Sequence, residues 1–549
     1  MKFIKYSLII ITCLVFQQLN AIGQVVFENP KSPVYQYLSR QAQIGRIEYN
    51  DLIQPISRKD IAGYLKELEE QKDKLSSREQ KELAFYQQEY SEFDSPLKDT
   101  TTFFRKDQYD RWRFLSVKND DFFLRGDPAM SFETINGKGK NVFRTATGLS
   151  FYGHAGKHFS FQAYFQDITE KGDGIDSLKR FTPETGILRT ANINPNAKTV
   201  NFSDVRGSVT YAWKNGSISV GKDQMLWGYG EGGRIVLSDK APSYPMIRLD
   251  YAPVKWLRFN YMHAWLNSAL IDSARSYDKG NALFGENREL YIRKYFVSHT
   301  LTFLPAKGLS LSVGESMVYS DDFDAGYLLP VMFFKAYDQY QSRYKLTTGA
   351  NGQFFFNVSS RNFIPKTHLY ASLFIDEIRT GSIFDKEKSR NQLGYTVGAS
   401  RTDAVIPYLT IGGEYTRINP YAYNNLIPAQ TYTNQSYLLG DWMGQNADRI
   451  MAWASYNPLP RLSTRVQFTY IRKGRDGDLF DQYWAEPQAK FLDEGPVQTQ
   501  KQLLIQANYE LLHKLYIRTS YQRQTGVINP EVQTSAVPNE FRLAVSFGF

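Results

Sequence analysis

The stretch Trp227–Gly233, WGYGEGG, sets glycines at 228, 230 and 233 in the spacing G-x-G-x-x-G, with Asp250 downstream. In a dinucleotide-binding unit such glycines let the backbone approach a pyrophosphate, and the acid takes a ribose hydroxyl. That chemistry needs a buried strand before the glycines and a helix after them. Here the preceding SISVGKDQML alternates in polarity, and Pro242 and Pro245 stand where the helix would begin. The match is accidental. Other chemistry is equally thin. His154 and His158 are four apart but flank a short turn, and the acidic runs SDDFDAG and DGDLFD lack the glycine and distal glutamate of a calcium loop. No cofactor, metal or catalytic pair is expected, and the chain reads as a non-enzyme.

The elements that carry these residues explain the absence. Residues 1–23 read as a secretory signal peptide: Lys2 and Lys5, an apolar run to Phe16, then small Ala21 and Gly23 before the cut. Cys13 is the only cysteine and leaves with it, so the mature chain has neither disulfide nor thiol chemistry. No other apolar run is long enough for a membrane helix. Aromatic residues make up 15% of 549, and the net charge of +9 is spread along the chain rather than clustered. Nucleic acid is therefore a poor partner for an exported protein. Acidic glycans or lipid head groups fit better.

Residues 24–96 read as a periplasmic bundle of three short helices, opened by Ser32-Pro33, by Ser57 and by a Ser76/Glu79 capping box. A linker is expected over 97–120. From 121 to 549 the period becomes two. In the closing FRLAVSFGF, Phe541, Leu543, Val545, Phe547 and Phe549 share one face, against Arg542, Ala544, Ser546 and Gly548. Apolar-out, polar-in alternation is the mark of a transmembrane β-barrel. Tight turns near 154–157, 214–216, 305–308, 457–461 and 511–513 alternate with long connections at 168–203, 267–293, 320–352, 419–446 and 473–499. If 320–352 is wholly loop, eighteen antiparallel strands result, the first weakened by Pro128. The fold class is all-β transmembrane, in the outer membrane, and WGYGEGG becomes a tight extracellular loop.

Residues 220–253, VGKDQMLWGYGEGGRIVLSDKAPSYPMIRLDYAP, followed by LRFNYMHAWLNS, resemble the signature of the Wzi-type capsule assembly proteins. RKYFVSHTLTF, LSLSVGESMVYS and the helical GRIEYNDLIQPISRKDIAGYL extend the likeness, while GQNADRI and YIRKG resemble the longer Bacteroidetes-type members. The resemblance covers nearly the whole mature chain. It implies an eighteen-stranded barrel closed below by the helices, and a lectin-like role in attaching capsular polysaccharide.

Three residue sets follow for the site. Aromatic and amide side chains on the outer loops are expected to contact sugar: Trp227, Tyr229, Arg234, Tyr423, Trp442, Gln445, Asn446, Tyr483 and Trp484. Arg206, Arg248, Arg258, Arg465 and Arg518 face the lumen by parity, with Asp250 and Glu414 among them, either as a basic interior for carboxylates or paired with internal acids. His263, His299 and Glu315 fall on the lipid side of three consecutive strands, which predicts a mutual cluster or a local inversion of that face. The expected partners are capsular or exopolysaccharide and outer-membrane lipid. A diffusion porin is the alternative, disfavoured by the helical cap.

Overall fold

The computed structural model describes residues 25–93, 100–107, 109–119, 121–187, 198–278, 287–345, 349–378, 391–477, 489–532 and 539–548. The expected signal peptide, Gln24 and Phe549 lie outside them. Three helices form where their caps stand. Pro33 precedes α1 (Val34–Gln43), and Gly45, at φ +83°, closes it. Ser57 accepts the Asp60 amide to start α2 (Arg58–Glu69), and the Ser76/Glu79 capping box starts α3 (Ser77–Glu89). Val34, Leu38, Ile61, Leu65 and Leu83 meet in a core of their own.

Eighteen antiparallel strands follow among the described residues. They begin with β1 (Met130–Gly137), β2 (Lys140–Ala155), β3 (Phe159–Gly172), β4 (Thr199–Trp213), β5 (Gly216–Asp223) and β6 (Tyr244–Val254). Then come β7 (Leu257–Ile271), β8 (Tyr291–Ala306), β9 (Leu309–Ser320), β10 (Asn351–Arg361), β11 (Thr367–Ile378) and β12 (Asn391–Thr402). The last are β13 (Leu409–Ile418), β14 (Ala447–Leu459), β15 (Leu462–Lys473), β16 (Gln498–Leu512), β17 (Leu515–Thr525) and β18 (Asn539–Phe547). Each pairs with its neighbours in sequence, and β18 returns to β1 with Phe541 opposite Asn136. Phe541, Leu543 and Val545 point outward and Ser546 is buried inside, as the alternation requires.

Pro128 breaks the first strand. Phe122–Pro128 pairs with the lower half of β2 and β1 with the upper half. The edge this leaves is filled by a hairpin, Thr100–Lys106 with Trp112–Lys118, where a linker is expected. An unpaired edge offers ready hydrogen bonds, and the alternating WRFLSVK takes them.

The helices sit against the short-turn end of the wall. Gln43 donates to Ser400 Oγ at 2.7 Å, Arg78 to the Asn457 carbonyl at 2.6 Å, and His513 pairs with the Phe85 carbonyl at 2.8 Å. Buried ion pairs then lock them in place. Glu89 at the end of α3 and Glu92 just beyond it stand among Arg58 of α2, Arg111 and Arg113 of the hairpin, Arg125, and Lys514 of the β16–β17 turn. Burial alone would raise both carboxyls. The surrounding cations outweigh it, holding Glu89 well below and Glu92 below the usual carboxylate range. Glu79 behaves likewise: against its burial, bonds from Arg46, Ser76 and Arg40 bring it down to about 2.

Carboxyls with depressed values stabilise the docked plug above their unfolded pKa of about 4.3, and that stability drains as pH falls through the folded values. Plug docking should therefore weaken as pH falls below about 6.5, first through His513, which burial brings down to about 4, and then through the carboxyls in stronger acid. Glu89→Ala should weaken docking by about 3–5 kcal/mol, because it strands buried guanidinium groups. Faster proteolysis within 25–93, with the wall still heat-modifiable on gels, is the expected reading; unchanged proteolysis contradicts it.

Candidate functional site

Two connections fill the lumen. Residues 224–243, between β5 and β6, turn down into the barrel, which corrects their reading as a tight outer loop. Leu226–Trp227 pairs with Ile53–Gln54 of the plug, and the Gly228 amide donates to the Leu52 carbonyl. The glycines permit close approach: a Cβ on Gly230 would lie 2.0 Å from the Gly233 carbonyl oxygen, and one on Gly232 2.4 Å from Arg449 Nε. The backbone thereby forms a cradle. Glu231 and Gly232 amides donate to the two oxygens of Glu414 on β13, at 2.6 and 3.1 Å. Tyr370 Oη adds a bond at 2.8 Å, and Arg449 stands 3.5 Å away. The glycine run does bind an acid, but one from its own wall.

Residues 419–446, between β13 and β14, pack over this loop. Tyr423 and Tyr432 donate to the Ile235 and Val236 carbonyls, both at 2.7 Å, and Trp442 Nε1 to the Gly232 carbonyl at 2.8 Å. Arg449 pairs with Asp441 at 2.9 Å. Trp227, Val236, Phe355, Phe374 and Leu439 join these rings in the largest apolar core of the described chain.

The loops leave a chamber of about 670 Å³ against β1–β4 and β16–β18. Its floor is Asn29–Ser32 at the tip of the plug, and its roof is Lys179 to Gly186 of the β3–β4 connection. Eight basic and eight acidic side chains line it, so its formal charges balance. Tyr164 and Arg206 stack on its wall at 5.8 Å, and Gln506 and Asn508 add amides. The roof is latched by Glu184, which bonds Lys179 at 2.7 Å, Arg144 at 3.0 Å and Arg542 at 3.0 Å. Burial works to raise Glu184; Lys179, Arg144 and Arg542 hold it well below the carboxylate range. Among the described residues no group of three or more His, Asp or Glu side chains is placed to hold a metal.

The profile of the family described as "Capsule assembly protein Wzi" matches residues 129–535. The chain belongs to that family. It is an outer-membrane barrel. The structure of Wzi from Escherichia coli, described as an outer membrane protein involved in group 1 capsule assembly and a carbohydrate binding β-barrel, superposes with TM-score 0.58 at 14% identity, covering 96% of this chain and 99% of that one. OccK8 (OprE) of Pseudomonas aeruginosa is more distant, at TM-score 0.42, 10% identity, and coverage of 77% and 97%. No curated protein matches in sequence.

Within this Wzi-family barrel, most residues expected to meet sugar are plug. Trp227, Tyr229, Tyr423, Trp442, Gln445 and Asn446 are all buried. Tyr423, Trp442, Gln445 and Asn446 bond loop backbone, and Trp227 and Tyr229 pack in the apolar core, because the loops fold into the lumen. Arg234 stays half-buried, its Nη1 without a hydrogen-bond partner among the described residues. Tyr483 and Trp484 lie outside the described residues. Of the two readings of the lumen arginines, pairing with acids describes three: Arg206 pairs with Asp204 at 2.7 Å, Arg248 with Asp250 at 2.7 Å, and Arg465 with Glu231 at 3.2 Å. Arg258 faces Tyr64 of α2, and Arg518 donates to Ser546 Oγ at 2.9 Å.

The lipid-side cluster resolves into two pairs, His299 with Glu315 at 3.1 Å and His263 with the Tyr319 hydroxyl at 2.9 Å. The face is not inverted. Part of 321–350 folds over its outside. Sequence reasoning misses the latch, although register carries a signal for it: Glu133 lies opposite Arg144, and Arg144 opposite Glu170. Glu184→Ala should loosen the roof and speed proteolysis within residues 174–187 relative to the parent. Identical proteolysis would show that the ion cluster does not hold the roof.

Proposed function

We propose that this barrel binds surface polysaccharide and supports capsule assembly or attachment, as a binding protein and not a catalyst. The carrying observation is that the lumen is filled twice, by helices below and by cross-bonded loops above, which leaves a lined chamber instead of a pore. Membership of the capsule assembly family supports the reading, and the E. coli Wzi structure is described as carbohydrate binding. We place sugar contacts at Tyr164, Gln506 and Asn508 in the chamber, reached past the Glu184 roof, with Tyr483 and Trp484 as outer contacts. Balanced charge on the chamber wall favours recognition of hydroxyls over selection of an acidic polymer.

The purified protein should bind the host's own capsular or exopolysaccharide, with affinity changing little as salt is raised. Tyr164→Ala should weaken binding about tenfold, and a deletion strain should shed polymer into the medium at undiminished synthesis. Absence of binding together with a normal cell surface in the deletion strain sinks the function. Binding that ignores Tyr164→Ala moves it out of the chamber. Steady large conductance by the parent protein would favour the porin.

A further inference from the structure

The β9–β10 connection holds AGYLLPVMFF at 325–334, a run without a charge between Asp324 and Lys335. It does not rise into water. It lies on the outer face of the wall, where Tyr327 and Phe334 pack on Tyr261, Tyr295, Val297, Met317 and Tyr319. Its depth follows from His299, whose Nδ1 meets the Pro330 carbonyl at 2.8 Å. His299 precedes Phe303 by four positions on β8, and Phe303 stacks on Trp256 in the β6–β7 turn. At 3.3 Å per residue and a tilt near 40°, Pro330 sits about 10 Å above that periplasmic girdle, inside an apolar band about 25 Å tall.

A chain segment at that depth must satisfy its backbone without water, and the amides of Gly326, Tyr327, Leu329, Met332 and Phe334 have protein acceptors. Tyr261 Oη donates to the Tyr327 carbonyl at 2.8 Å, and the Phe334 and Lys335 amides donate to Glu315 at 2.6 and 3.3 Å, which caps α4 (Phe334–Lys345). The Leu329 and Met332 amides bond within the turn, and residue 330, a proline, has no amide to satisfy. The side chains left outward are apolar: Leu329 53%, Val331 84% and Phe333 55% exposed. Phe333 touches the outward ring of Phe354, and an apolar groove of about 600 Å³ lined by Leu311, Val313, Phe356, Ala371 and Val397 lies on the same wall.

We infer that residues 325–334 re-enter the membrane and that their partner is the acyl chains of the bilayer core. Tyr261, His299 and Glu315, otherwise costly on a lipid-facing wall, are there to bond the immersed backbone. The inference is independent of glycan binding.

The cysteine-free mature chain permits a direct test. Val331→Cys and Phe333→Cys should react at least about tenfold more slowly than Ala274→Cys, on the exposed β7–β8 connection, with a membrane-impermeant maleimide on intact cells. A small fluorophore at Val331→Cys, in proteoliposomes, should be quenched by lipids carrying a nitroxide on the acyl chain and not by a water-soluble quencher. Labelling at the Ala274→Cys rate, or quenching from water, overturns the proposal. So does disulfide formation between two Val331→Cys copies, which would assign the patch to self-association. Heat-modifiability of each variant confirms a folded wall, and Phe333→Cys keeps the test open if one variant misfolds.

Discussion

Everything in this molecule depends on one constraint: inside a bilayer no backbone amide can be left to water, so the sheet must close on itself. Closure assigns every wall residue to lipid or to lumen by its parity alone. The wall obeys this from β1 to β18, and Pro128 shows the cost of an exception. Where the first strand breaks, a separate hairpin is recruited to fill the edge, and its Arg111 and Arg113 then become part of the plug's ionic lock.

The same constraint governs the exceptions to parity. Glu315 faces lipid, yet it is bonded to His299 and to the first turn of a helix laid over it. Glu414 faces the lumen in an apolar core, yet four donors converge on it. In both cases a long connection returns to the wall and brings backbone amides to a carboxylate. One loop returns inside and the other outside. Buried charges of this kind do little for net stability, but removing one partner is severe, which makes them suited to fixing the place of a loop.

Filling the lumen has a functional consequence. The plug and the inner loops share a sheet contact at Ile53–Trp227, so the helices at the short-turn end and the long connections of the other end are mechanically joined through the barrel's centre. The chamber roof is tied to this column: Lys240 Nζ donates to the Lys179, Thr182 and Glu184 carbonyls, and Phe181 packs on Trp442 in the loop core.

From the order of residues alone came the helices with their caps, the period-two wall, the count of eighteen, the tight-turn end, and the oddness of His263, His299 and Glu315. These are local properties: a cap, a period or a parity is written within a dozen residues. Where the long connections go is not local. WGYGEGG reads as a surface turn until Glu414, some 180 residues away, is seen to receive its amides. Tyr423 and Trp442 read as sugar-facing aromatics until the loop bearing them is found inside. A glycine-rich or tyrosine-rich loop has no period to betray which surface it will cover. Only the three-dimensional meeting of its donors with acceptors on distant strands decided that, and with it the shape of the chamber.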